Sequence, residues 1–169
     1  MKILESYWKH DLYYESRLVG GRVLVIVLDN GRDKYSDYQV TRLSEDIALA
    51  KRDGYAILIF QHSPISTANP ADENLKAIRT YDGETWDFYR SIGFEAEGAT
   101  AEVYRLITEN ADVIKGIFVG HLHSAFYSEV EGSYKSCTGE RISAKIPQVA
   151  LEGNVYDSGA GHVLKIEVT

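Results

Sequence analysis

Gly116-Ile117-Phe118-Val119-Gly120-His121-Leu122-His123-Ser124 is the stretch whose reading decides the fold. The apolar run from Val113 to Val119 reads as a buried strand, and Gly120 ends it. Two histidines follow, one residue apart. In extended backbone, side chains at i and i+2 share a side, so His121 and His123 present two imidazoles together. A glycine ahead of them lets the chain turn tightly or approach a ligand closely. The position, just past the C-terminal end of a strand, is where open α/β sheets place their ligands.

Working outward, the same punctuation recurs upstream. Tyr55 to Phe60 is a short apolar strand that stops at Gln61-His62-Ser63-Pro64, so a third histidine sits beyond a strand end. Neighbouring strands lie about 4.8 Å apart, which allows His62, His121 and His123 to meet on one sheet edge. Neutral imidazole is a common ligand of first-row transition metals. The plainer alternative for His62 is a loop histidine before a proline.

The remaining elements follow from periodicity. Leu12 to Leu18 alternates weakly, Gly20-Gly21 turns the chain, and Arg22 to Leu28 is apolar on both faces. That predicts a hairpin whose second strand is central and covered on both sides. Asp29-Asn30-Gly31 reads as a turn, with Asp29 and Asn30 as less favoured partners of a histidine. Ser36 or Asp37 opens a helix to about Arg52, with Tyr38, Leu43, Ile47, Leu49 and Ala50 as its apolar stripe and Asp53-Gly54 as its stop. Strand, helix and strand in succession predict a crossover in a largely parallel sheet. Asn69-Pro70 predicts a short helix to Ile78. Tyr81 to Glu97 leaves open a packed loop or a substrate rim. A second long helix is expected over Ala99 to Asn110, with Val103, Leu106 and Ile107 on one face. Beyond the histidine pair, a hairpin is expected around Glu131-Gly132. Ile146 to Leu151 follows as a strand placed at an edge or a strand start by Pro147. Val163 to Val168 predicts a terminal strand.

The bulk numbers bound the function. The chain has 169 residues and a formal charge of −7, with no Lys/Arg block. That argues against nucleic acid or an anionic membrane surface as a general partner. Cys137 is the single cysteine and falls in an expected loop, so neither an intrachain disulfide nor a Cys-based zinc site is available. No apolar run approaches a membrane span and no signal-peptide core precedes residue 20, so a cytoplasmic protein of one domain over residues 1–169 is expected. His10 and His162 are read as structural. Ser63 and Ser124 adjoin ligand candidates without a base placed beside them.

Gly120-His121-Leu122-His123, with the earlier Gln61-His62-Ser63-Pro64, resembles the C-terminal half of calcineurin-like metallophosphoesterases. The order of the other segments agrees: Tyr13-Tyr14, a Gly turn, a strand ending Leu28-Asp29, a helix introduced by Tyr38-Gln39, and a closing Gly161-His162 strand. The resemblance implies an α/β fold with a mixed sheet flanked by helices, the second half of a four-layer αββα sandwich. It implies a dinuclear centre of divalent transition metal ions (Mn, Fe or Zn) that hydrolyses a phosphoester. His62 and His121 would hold one metal and His123 the other. The family's Asp-x-His, Gly-Asp and Asn-His elements do not occur here; Gly153-Asn154 is followed by Val155. Those elements would supply the bridging carboxylate and a histidine assisting the leaving group. The chain by itself is therefore expected to be inactive, either half of a hydrolase or a non-catalytic metal-binding or interaction module. Half a sandwich exposes an apolar sheet face, so a homo-oligomer, or association with a missing N-terminal half, is the expected state.

Overall fold

In the computed structural model, residues 14–30, 35–65, 97–120, 126–150 and 165–167 are described. They form one mixed six-stranded sheet with two helices. The strands are β1 (Tyr14–Val19), β2 (Val23–Leu28), β3 (Ala56–Gln61), β4 (Ile114–Val119), β5 (Phe126–Lys135) and β6 (Arg141–Ala150). The helices are α1 (Asp37–Asp53) and α2 (Gly98–Thr108). Across the sheet the order is β1-β2-β3-β4-β6-β5. The inner strands β2, β3, β4 and β6 run parallel, and β1 and β5 pair antiparallel at the two edges.

The parallel core follows from the expected strand-helix-strand unit. Ser36 caps α1 in a reciprocal box with Gln39, and Gly54 closes it in the left-handed conformation at φ 74°. Leu43, Ile47 and Ala50 of α1 and Val103 and Ile107 of α2 are buried in one cluster with Leu24, Ile26, Leu28, Ile57, Ile59, Ile117 and Ile146. Both helices therefore lie on one face of the sheet. Tyr38 points the other way and is 49 % exposed, so it is not part of the α1 stripe. Its place is taken by two polar residues, Gln39 and Asp46. Asp46 enters the interior because its Oδ2 accepts a 2.7 Å hydrogen bond from the buried Tyr14 hydroxyl.

Four sequence expectations need correction. Strand β2 is not covered on both sides: Leu24, Ile26 and Leu28 are buried, but Val27 on the opposite face is 45 % exposed. Apolarity on both faces marks that second face as sticky, not as covered. The hairpin turns at Ser136–Glu140, with Gly139 at φ 85°, and not at Glu131-Gly132. Gly132 instead lies within β5 opposite Ala144, where an added Cβ would stand 3.0 Å from the Thr108 carbonyl oxygen. This glycine serves a close approach to the end of α2. Strand β6 is internal, between β4 and β5; Pro147 fits because the β4 ladder begins one residue later, at Gln148. Of the strand expected over Val163 to Val168, only Lys165–Glu167 are among the described residues, and these three are not in a strand. The short helix expected at 70–78, the segment at 81–96 and His162 lie outside the described residues. No described helix is long and apolar enough to cross a membrane.

A candidate metal-binding edge

The C-terminal ends of the parallel strands are tied together by two buried amide side chains. Asn30, directly after β2, is fully buried. Its Oδ1 accepts from the backbone N–H of His62 (3.0 Å) and of Ser63 (2.9 Å). Its Nδ2 donates to the Ser63 carbonyl (2.8 Å) and the Tyr35 hydroxyl (3.2 Å). Every donor and acceptor position used here is one a primary amide offers, and two N–H groups facing Oδ1 fix which way it points. The Tyr35 hydroxyl donates to Gln61 Oε1 (2.9 Å), and Gln61 Nε2 donates to the same Ser63 carbonyl (2.8 Å).

Gln148 of β6 holds the loop from the other side. Its Oε1 accepts from the Ile65 N–H (2.7 Å), while Nε2 donates to the Ile65 carbonyl (3.0 Å) and to Ser128 Oγ (3.1 Å). The segment from Gln61 to Ile65 is thus bonded to β2 through Asn30 and to β6 through Gln148. Gln61, Ser63, Pro64 and Ile65 are buried, and His62 alone among these five is exposed. A fixed backbone with one imidazole projecting from it is what a ligand position requires, because ordering costs are met before a ligand arrives.

His62 is also joined to β4. The Gly120 N–H donates to the His62 carbonyl at 3.0 Å. The residue that precedes His121 is therefore a backbone neighbour of His62. His121, His123 and Ser124 themselves lie outside the described residues. Among the described residues no three potential metal ligands converge, His62 being the one member of the expected trio among them.

Gly120 itself has no left-handed φ, and an added Cβ would meet only the His62 carbonyl oxygen, at 3.9 Å. A Cβ there has ordinary contact distances, so neither φ nor space at Gly120 demands glycine, and the chain that follows it lies outside the described residues. For Asn30 the sequence favoured a plain turn over partnership with a histidine; the less favoured reading is the one present, through the His62 backbone N–H. Gln148 carried a usable signal, as an amide inside the apolar run Ile146 to Leu151 has to find polar partners when buried. Asp29 is exposed, and its carbonyl accepts from Gln39 Nε2 (2.8 Å), which anchors the capping residue of α1 to the end of β2. No protein-family model matches the chain, and no curated protein matches it either.

Proposed function

We propose that His62, His121 and His123 bind a divalent transition metal (Mn, Fe or Zn) at the C-terminal edge of the sheet. In this reading the chain is the second half of a metallophosphoesterase-type αββα sandwich, and its reaction class is phosphoester hydrolysis. The observation that carries it is the 3.0 Å bond from Gly120 N–H to the His62 carbonyl, which brings the residue before the His-x-His sequence to the one exposed residue of a doubly clamped loop. A donor set of neutral imidazoles suits these metals. The chain's own part is to hold the imidazoles in place: Asn30 fixes the His62 backbone from one side, and Gly120 takes its carbonyl from the other. When bound, the metal supplies a Lewis acid for the phosphoryl oxygen and lowers the pKa of water. The carboxylate ligands of a complete hydrolytic centre come from outside these 169 residues.

The sheet face that carries no helix among the described residues supports the same architecture. Phe60 and Phe118 stack there with centroids 4.8 Å apart, as a surface meant to meet a second sheet would. A second reading is favoured by the absence of Asp-x-His, Gly-Asp and Asn-His from the sequence: a metal-binding module without catalysis. Hydrolysis of an aryl phosphate with added manganese, measured beside His121→Ala, tests the catalytic reading. Turnover above the control supports the hydrolase and excludes the non-catalytic module. Metal binding without turnover is the outcome both readings give for this chain without outside carboxylates, and failure to bind metal removes both.

A further inference from the structure

Helix α2 is joined to the clamped edge through Tyr35, a buried residue between β2 and α1. The Tyr35 backbone N–H donates to Thr100 Oγ1 (3.1 Å), in the first turn of α2. Its hydroxyl stands between two amides of the edge, accepting from Asn30 Nδ2 (3.2 Å) and donating to Gln61 Oε1 (2.9 Å). Asn30, Gln61 and Thr100 are buried as well, so these bonds are made away from water. A primary amide has a donor end and an acceptor end, and a partner has to choose between them. The hydroxyl offers an acceptor to Asn30 and a donor to Gln61. With Nδ2 turned to Tyr35, Asn30 presents Oδ1 to the N–H groups of His62 and Ser63. With Oε1 turned to Tyr35, Gln61 presents Nε2 to the Ser63 carbonyl. Both amides thus meet the His62 loop in the orientation that suits Tyr35.

We infer, on the reading of His62 as a metal ligand, that Tyr35 is a positioning residue for it, anchored to α2 by Thr100. Tyr35 acts through the backbone that carries the imidazole. A buried polar network holds one arrangement when its members are satisfied, and a gap in it admits others. Without the hydroxyl, nothing at position 35 opposes a turned-over Asn30, which would set Nδ2 against the N–H groups of His62 and Ser63. The loop then samples several positions, and a metal has to order it on binding. Loss of the Thr100 hydroxyl acts in the same direction but more weakly, since the Tyr35 hydroxyl stays and only its anchor goes. Through this link a helix turn 65 positions downstream of Tyr35 takes part in shaping the site.

Two measurements on the full chain test this, one without metal and one with it. Hydrogen exchange by NMR compares the His62 and Ser63 amides with that of Ile57, which donates to the Val113 carbonyl (2.8 Å) inside the sheet. Tyr35→Phe should speed exchange at His62 and Ser63 about tenfold relative to Ile57, whereas a uniform loss of stability speeds all three alike. Its affinity for Zn²⁺ should fall about fivefold, less than the roughly 10–100-fold typical of a group bonded to the metal ligand itself. Thr100→Val should change both readouts in the same direction by less, and Thr100→Ser, which keeps a hydroxyl, should restore them. Gly132→Ala, at the opposite end of α2, should alter neither the exchange ratio nor the affinity. Zn²⁺ binding by the wild type that Tyr35→Phe leaves unchanged, with an unchanged exchange ratio, overturns the proposal alone. If the wild type binds no Zn²⁺, the metal reading fails, and the exchange ratio by itself decides whether Tyr35 positions the loop.

Discussion

Replacing Asn30 by alanine removes the acceptor it offers to the N–H groups of His62 and Ser63 and the N–H it donates to the Tyr35 hydroxyl. Each buried group left unpaired costs about 1–3 kcal/mol, and the terms do not add fully. Asn30→Ala should therefore lower stability by about 3 kcal/mol in urea unfolding. It should also weaken metal binding, because the His62 backbone loses its clamp. A second residue-scale test concerns Tyr14. Burial, then its hydrogen bond to Asp46, pushes the Tyr14 hydroxyl far above the ordinary value near 10. A raised pKa in the folded state means its contribution is complete below pH 10 and is lost as pH rises, since only the unfolded chain then releases the proton. Stability should fall above about pH 10 in the wild type, and more shallowly in Tyr14→Phe, measured by urea midpoints from pH 8 to 11. The exposed histidine at the strand end was legible from residue types alone. The residue that holds it stood only as the less favoured reading, because Asp29-Asn30-Gly31 has turn composition and the partner backbone of Asn30 lies thirty-odd positions away.

Helix α1 was readable to within a residue at its start and stop, because capping is local chemistry: Ser36 and Gln39 are three apart and Gly54 ends the helix. Ser36→Ala should cost about 1 kcal/mol. The β5–β6 hairpin was misplaced for the opposite reason. Two glycines, Gly132 and Gly139, compete for the turn, and what decides between them is distant. Gly132 is needed where β5 passes the Thr108 carbonyl, and Gly139 is the one in the left-handed region. Gly132→Ala should lower stability by about 1–3 kcal/mol, the cost of overpacking a close contact. Gly120→Ala should change it by less than about 1 kcal/mol, as its backbone conformation and surroundings accept a methyl group. Thermal unfolding of the pair measures the contrast.

At the scale of the whole molecule, the parallel α/β sheet was foreseeable from alternating strands and helices, and its mixed character from the glycine-linked first hairpin. The internal position of β6 was not foreseeable. Pro147 argued for an edge, and only the late start of the β4 ladder makes the residue compatible with an inner strand. The two faces of the sheet have different fates. One holds the helices and the core; the other is an apolar row with stacked Phe60 and Phe118, suited to a second sheet. The clamped edge at the C-terminal ends is where the proposed chemistry stands or falls, and metal binding by His62, His121 and His123 is its central claim. Calorimetric titration of the full chain with Zn²⁺, beside His62→Ala and His121→Ala, tests it most directly. The expected result is saturable binding that weakens at least tenfold in each variant, with both variants folded. Binding that is absent in the wild type, or unchanged in both variants, would contradict it.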